Sequence, residues 1–303
     1  MSDEITNLQK ILKTQPDNFQ TRRELAMLLL EEGFNEEAIT NLKYLLKVFP
    51  ENHEIWFNLG IAYEKIKQKE KAIDAYRHAV NLNQQEDYCY NLGSVLIETK
   101  NYQEALEQFL KVHQTSQNDE NTIFNIGLCY FHLKEYSKAL DYFLLAIEHD
   151  RHDIYAYFYA GYIYKEQGLT NFAIENYKKV IDIDPNYSWA YFNLGSIAYE
   201  NGNPTEAKNY LEKTLEYNPA DAGAYRILAK INVAENKPDE ALSILVKGLS
   251  KTQNNGDLCY ELACLFKMIG DEANFQQYLK TALENKLTLT YPVSVVERQI
   301  KKD

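Results

Sequence analysis

Cysteine is scarce and unpaired. Cys89, Cys129, Cys259 and Cys264 are spread over 303 residues with no Cys-x-x-Cys pair, which excludes a disulfide framework and leaves buried free thiols as the expectation. Glycine (12) and proline (7) are few and scattered, so no linker or low-complexity stretch marks a domain boundary. No run approaches the roughly eighteen apolar residues that a membrane-crossing helix needs. The opening MSDEITNLQK is acidic and polar, where a secretory signal is basic and then apolar. Basic clusters are also missing: 32 Lys and Arg stand against 44 Asp and Glu, a net charge of -12. That balance points away from nucleic acid and from direct membrane insertion. The expectation is one continuous architecture in a cytoplasmic protein.

Motifs of chemistry are missing too. There is no Gly-rich phosphate loop, no His-Glu-x-x-His and no Gly-x-Ser-x-Gly, and Ser94 and Ser196 fall inside helical patterns rather than on a strained elbow. HDRHD, His149 to Asp153, sets two imidazoles three residues apart, but at a junction between helices where polar residues meet water, and it lacks a full ligand count. The chain is therefore expected not to be an enzyme, with no catalytic residues, no cofactor and no metal.

What the sequence does have is a repeat. A small residue preceded by an apolar one recurs at Leu25-Ala26, Leu59-Gly60, Leu92-Gly93, Ile126-Gly127, Ala160-Gly161, Leu194-Gly195, Leu228-Ala229 and Leu262-Ala263, in steps of 34 or 33 residues. Twelve residues later stands an alanine (Ala38, Ala72, Ala105, Ala139, Ala173, Ala207, Ala241), replaced once by Phe275. Within each unit the apolar positions recur at three and four, and GFNEE, KNYQE, NGNPTE and ENKPDE between the two halves carry turn residues. Each unit reads as a helical hairpin. Small residues let its two helices approach, and bulky ones join it to the next hairpin.

WFNLGIAY, Trp56 to Tyr63, followed by Ala72, Tyr76 and Ala79, resembles the tetratricopeptide repeat. Pro50, Pro185 and Pro219 stand where that family ends its second helix. The resemblance implies an all-α, right-handed superhelical solenoid of about eight repeats. These fall at about 19–52, 53–85, 86–119, 120–153, 154–187, 188–221, 222–255 and 256–289, between capping segments at 1–18 and 290–303. In the last of these, Val293, Val296 and Ile300 can share one helix face. Arg22, Cys259 and Asn232 depart from the family pattern.

The resemblance also implies that the first helix of each repeat lines an inner groove. Positions four and one before the small residue and three after it are assigned to packing. Positions six, three and two before it, and one, four and five after it, are assigned to the groove. In IYAYFYAGYIYK, residues 154–165, this places Tyr157 and Tyr164 in the packing and Tyr155, Phe158, Tyr159 and Tyr162 in the groove. Elsewhere the expected groove contains Phe57, Tyr90, Phe124, Phe131, Trp189, Phe192 and Tyr199, with Asn58, Asn91, Asn125 and Asn193 as an amide ladder able to pair with an extended peptide backbone. The ladder resembles asparagine arrays with which some family members hold peptides; helix packing and solubility explain these asparagines equally well. The Lys and Asn clamp with which others grip a terminal carboxylate is absent. Glu31, Glu98, Glu166 and Glu200 on the inner face favour a basic or neutral peptide over an acidic one, or simply keep the solenoid soluble. The function expected is a protein-protein interaction module, an adaptor or assembly chaperone holding a partner's segment. The alternative is a self-associating structural scaffold.

Overall fold

The structure, a computed structural model, describes residues 2–300. Among them no strand forms. The chain divides into two compact units between Arg151 and His152. The first unit opens with α1 (Asp3–Thr14) and continues as four hairpins: α2 (Phe19–Glu31) with α3 (Asn35–Val48), α4 (His53–Lys65) with α5 (Lys69–Leu82), α6 (Glu86–Glu98) with α7 (Tyr102–Thr115), and α8 (Glu120–His132) with α9 (Tyr136–His149). The second holds four more: α10 (Ile154–Glu166) with α11 (Thr170–Ile183), α12 (Ser188–Glu200) with α13 (Pro204–Tyr217), α14 (Ala222–Ala234) with α15 (Pro238–Thr252), and α16 (Gly256–Met268) with α17 (Glu272–Glu284). A 3-10 turn (Lys286–Thr288) and the short α18 (Val293–Glu297) follow.

Local chemistry sets these bounds. Most first helices begin at an Asx cap: Asn18, Asn52, Asp119, Asp153, Asp221 and Asn255 each accept hydrogen bonds from backbone N–H groups of the first turn. Each first helix ends in the same way. The residue seven after the small residue takes a left-handed conformation, as Gly33, Lys67, Lys100, Lys134, Gly168, Gly202, Asn236 and Gly270 do. The next N–H closes back five residues, for example from Gln68 to Tyr63 O at 2.9 Å and from Leu169 to Tyr164 O at 2.8 Å, which is the Schellman closure. Pro50, Pro185 and Pro219 lie two residues beyond α3, α11 and α13, where a helix cannot continue.

The small residue is a notch for a ring. A Cβ on Gly161 would stand 3.0 Å from the Tyr177 ring, and one on Gly93 2.8 Å from Phe109. Tyr76, Phe109, Phe143 and Tyr177 fill these notches and are wholly buried. Burial around the small residue is wider than the expected packed face. The most consistently buried positions are five and one before it, such as Ile55 and Leu59 or Ala156 and Ala160, while Tyr157 and Tyr164 are only half-buried. At about 100° per residue, one side of each first helix turns to its own second helix and an adjoining side turns to the neighbouring hairpin. The two together bury an arc of nearly half the helix.

Candidate functional site

The remaining arc is the candidate site, and its geometry ranks the expected residues. Positions six before, one after and five after the small residue lie at its centre; positions three and two before lie at its edges. The edge rings are committed to packing. Phe57 stacks on Tyr88 at 4.3 Å and meets Tyr76 at 5.6 Å. Tyr90 meets Phe109 and Phe124 meets Phe143, both at 5.6 Å, and Phe158 touches Tyr177 at 5.8 Å and Tyr187 at 5.5 Å. Phe192 lies against Gly223, where a Cβ would stand 2.7 Å from its ring. These five rings are half-buried walls of the face.

The asparagines at the other edge are partly engaged. Asn91 donates to Asp87 O at 2.7 Å, Asn193 to Trp189 O at 2.8 Å, and Asn125 to the Tyr90 hydroxyl at 3.4 Å. Asn193 is buried, and Asn58, Asn91 and Asn125 are half-buried. An amide whose N–H2 serves its own helix keeps its acceptor oxygen and one hydrogen, so the ladder has lost part of its capacity.

The centre of the face is open in the second unit. Tyr155 and Trp189, both six before their glycines, are 54% and 55% exposed, and Tyr199 is 37% exposed. Tyr159 and Tyr162 beside Tyr155, and Phe131 of the first unit, are half-buried. Burial, with Tyr155 and Tyr159 close by, pushes the Tyr187 phenol up to about 12. Further along the same face a cleft of about 330 Å³ is lined by Tyr199, Ala229, Lys230, Val233, Ala234, Leu245, Glu261, Cys264, Leu265 and Met268. Only Tyr199 of these was expected. Lys230, Ala234, Cys264 and Met268 occupy the central positions one and five after the small residue, so the register itself held the signal. The expected line of rings, three before, follows the edge instead.

Two carboxylates expected on this face have lysine partners. Glu98 pairs with Lys69 at 2.8 Å and Glu200 with Lys165 at 3.5 Å; Ser196 donates to Glu200 at 2.8 Å. At the last hairpins the chain covers the face itself. The Thr290 N–H donates to Asp257 Oδ1 at 2.6 Å and its hydroxyl to Oδ2 at 2.8 Å, while Arg226 pairs with the same carboxylate at 3.0 Å. The Tyr291 hydroxyl donates to Glu261 at 2.6 Å, and its ring lies 4.3 Å from Tyr260. Burial opposes the Lys230 ammonium, but the hydrogen bond and charge of Glu261 outweigh it and hold the lysine above its ordinary range. Val296 is wholly buried with Phe275 and Leu279, Ile300 packs beside them and Val293 stays exposed. The expected tail segment, 290–303, extends beyond the described residues at 301–303.

Burial raises the thiols of Cys89, Cys129 and Cys259, Cys129 to about 12 and Cys259 to about 11, which suits core packing rather than nucleophilic work. Among the described residues no group of three or more His, Cys, Asp or Glu stands close enough to hold a metal ion, and no helix is long and apolar enough to cross a membrane.

Stacked hairpins that bury one arc of each first helix and present the other define a helical-repeat protein with a ligand-accessible face. The chain belongs to the tetratricopeptide repeat family. Models of the tetratricopeptide repeat match residues 23–88, 86–118, 121–153 and 192–251, and a further TPR repeat model matches 161–202. No curated protein matches the sequence. Among solved structures, YrrB, described as a TPR protein with an unusual peptide-binding site, is 22% identical, covering 60% of this chain and 95% of its own, with a TM-score of 0.52. PilF of Pseudomonas aeruginosa is 18% identical over 70% of this chain and 97% of its own, TM-score 0.56. MamA of Desulfovibrio magneticus RS-1 is 22% identical over 56% and 97%, TM-score 0.52. At these identities the likeness is one of fold. Proteins of this family are generally non-enzymatic modules that bind other proteins or peptides.

Proposed function

We propose that this protein is a non-enzymatic adaptor or assembly chaperone that holds a peptide segment of a partner on the first-helix face of its second unit. The observation that carries the reading is the pair Tyr155 and Trp189. Equivalent positions in successive hairpins hold large rings, each more than half exposed, on the same face as the cleft floored by Ala229 and Leu265. An aromatic side chain can bury on the order of 150–250 Å², of which these rings still expose about half, and buried aromatics dominate binding energy at interfaces. The half-buried rings and the asparagines Asn58, Asn91, Asn125 and Asn193 serve as walls and acceptors. A neutral or basic segment suits this face better than an acidic one, because Glu166 adds negative charge one turn from Tyr162 and forms no ion pair among the described residues. The covering of α16 and α17 by residues 286–300 favours binding over end-to-end scaffold assembly, since stacking needs an open terminal hairpin.

The test replaces Tyr155 and Trp189 together by Ser. Both rings stand out from the core, so the melting temperature is expected to change little. Capture of the principal partner from native lysate, compared with wild type by quantitative mass spectrometry, is expected to be lost. Undiminished capture of the same partner by the folded double variant would sink the reading.

A further inference from the structure

The other side of the first unit holds a second pocket, between α3 and α5 with α4 as its floor. Its volume is about 510 Å³, within the ~300–1,000 Å³ of ligand sites. The repeat explains why it is there. Fifteen residues after the small residue, the other hairpins carry Asn41, Gln108, Tyr142, Asn176, Tyr210, Ile244 and Tyr278; this hairpin alone carries alanine, Ala75. In two of the three hairpins with a tyrosine it fills the space against the ring three after the small residue: Tyr142 stacks on Tyr130 at 5.7 Å, and Tyr278 on Phe266 at 5.4 Å, whereas Tyr210, with Ala198 there, lies by Tyr191. Ala75 leaves Tyr63 with no such ring; both are buried and form the pocket's floor, with the Lys71 ammonium 5.6 Å from the Tyr63 ring centre. Trp56, stacked on His78 at 4.3 Å and anchored by its indole N–H on Pro50 O at 2.7 Å, makes a fixed wall.

The rim is basic in a chain of net charge -12. Lys43 and Lys47 form no ion pair among the described residues, and Lys71 donates to the Gln68 amide at 2.8 Å. Asp74, the one rim carboxylate, is met by Arg77 at 3.5 Å. We propose that this pocket is a second docking site, distinct from the first-helix face, which takes an acidic peptide segment of a partner and seats one of its aromatic rings in the slot that Ala75 leaves open. The ring takes the place that Tyr142 and Tyr278 occupy in their own hairpins, and the segment's carboxylates meet the three lysines. Opposite charge preferences on the two faces let one molecule hold two different segments.

The test uses fluorescence anisotropy at low salt with the full chain and a fluorescein-labelled peptide of Asp and Glu residues around a single Phe. Saturable binding is expected, weakened about tenfold or more by Ala75→Tyr, by Lys43→Gln with Lys47→Gln, and by replacing the peptide's Phe with Ala. A peptide with Lys in place of Asp and Glu is expected not to bind. Ala75→Tyr fills the slot with the residue that two sister hairpins already use, and circular dichroism melting confirms that it folds; if it does not, the lysine variant and the peptide controls decide. Absence of saturable binding overturns the proposal. So does binding that a folded Ala75→Tyr variant leaves unchanged, or equal binding of the Ala or Lys peptide. A concentration-dependent mass that Ala75→Tyr removes would make the occupant a second copy of this chain, which also overturns it.

Discussion

Six residues before the small residue the first unit carries Gln20, Glu54, Asp87 and Asn121, and the second carries Tyr155, Trp189, Gly223 and Asp257. The backbone register is the same in both, so the position is equally central on every first-helix face. The first unit spends it on polar contacts: Glu54 pairs with Arg23, and the Gln20 amide donates to Glu24 at 2.9 Å. The second spends it on two exposed rings, on a glycine that admits Phe192, and on a carboxylate that ties down the chain's own Thr290. The apolar opening lies on opposite sides in the two units: between second helices at Ala75 in the first, on the first-helix face at Ala229 and Leu265 in the second. A repeat fold fixes which positions are available, and single side chains decide which face is used.

The core differs as well, and here the largest effect is expected. In the first unit one large cluster of buried residues spans several hairpins, from Ala26 to Cys129, beside a smaller one of Ile5, Leu25, Leu29 and Ala38. In the second, buried residues separate into clusters around Tyr177, Leu211, Leu245 and Phe275. Phe109→Ala should cost about 4 kcal/mol and Leu211→Ala about 3 kcal/mol, as deletions of buried side chains do. Native-state hydrogen exchange should then distinguish the units. Phe109→Ala is expected to lower protection from α3 to α8, and Leu211→Ala only around α12 to α14, because coupling in a repeat array passes through neighbouring interfaces. Equal spread in both would erase the distinction between a continuous and a divided core.

Much of this was legible in the sequence. The recurrence of Gly60, Gly93, Gly127, Gly161 and Gly195, with alanine twelve residues later, carries the hairpins, because close helix approach leaves room only for glycine or alanine at the crossing. The exposed arc of each first helix follows the same register. The conspicuous line of rings from Phe57 to Phe192 marks the edge, where a ring reaches over the glycine notch to the second helix. A helical wheel read by residue type follows the aromatics, and only burial shows that an arc shared by two neighbours is wider than one packed face. The contact of Thr290 with Asp257 left no trace in any spacing, since it joins a chain end to a helix start. Ala75 was visible only by comparing the same position across all hairpins.

A smaller effect, of opposite sign in the two units, is expected at the notch tyrosines. Tyr76 donates to Glu64 at 2.8 Å, and burial followed by the Glu64 charge raises its phenol far above the ordinary value. Tyr177 fills the equivalent notch, but Lys165 replaces the glutamate and turns to Ser196 at 3.3 Å and to Glu200. Among the described residues no group accepts from the buried Tyr177 hydroxyl. Tyr76→Phe should therefore cost about 1 kcal/mol and Tyr177→Phe should gain up to about 1 kcal/mol, since an unpaired buried hydroxyl carries a desolvation penalty. Thermal melting of the two variants side by side checks the signs; a loss at Tyr177 equal to that at Tyr76 would show that its hydroxyl is satisfied.

The smallest effect concerns the turns. The left-handed residue that closes each first helix is Gly33, Lys67, Lys100 and Lys134 in the first unit, and Gly168, Gly202, Asn236 and Gly270 in the second. A residue with a Cβ pays roughly 1–2 kcal/mol in this conformation, whereas glycine pays instead through its freer unfolded chain, roughly 0.5–1 kcal/mol. The net preference for glycine is about 0.5–1 kcal/mol at each turn. Lys100→Gly should accordingly stabilise the first unit by about 0.5 kcal/mol, and Gly202→Lys should destabilise the second by about 1 kcal/mol. Lys100, like Lys67 and Lys134, is exposed and makes no ion pair among the described residues, so its loss removes little else. The 2.8 Å closure from the Asn101 N–H to Leu96 O is a backbone bond and survives the change. Urea unfolding of each variant, with unit-specific exchange as the readout, measures both values. A stabilisation of Lys100→Gly well above 1 kcal/mol would mean that the lysine turns hold strain beyond their backbone angles, and no change at all would mean that the side chain of Lys100 repays its own conformational cost.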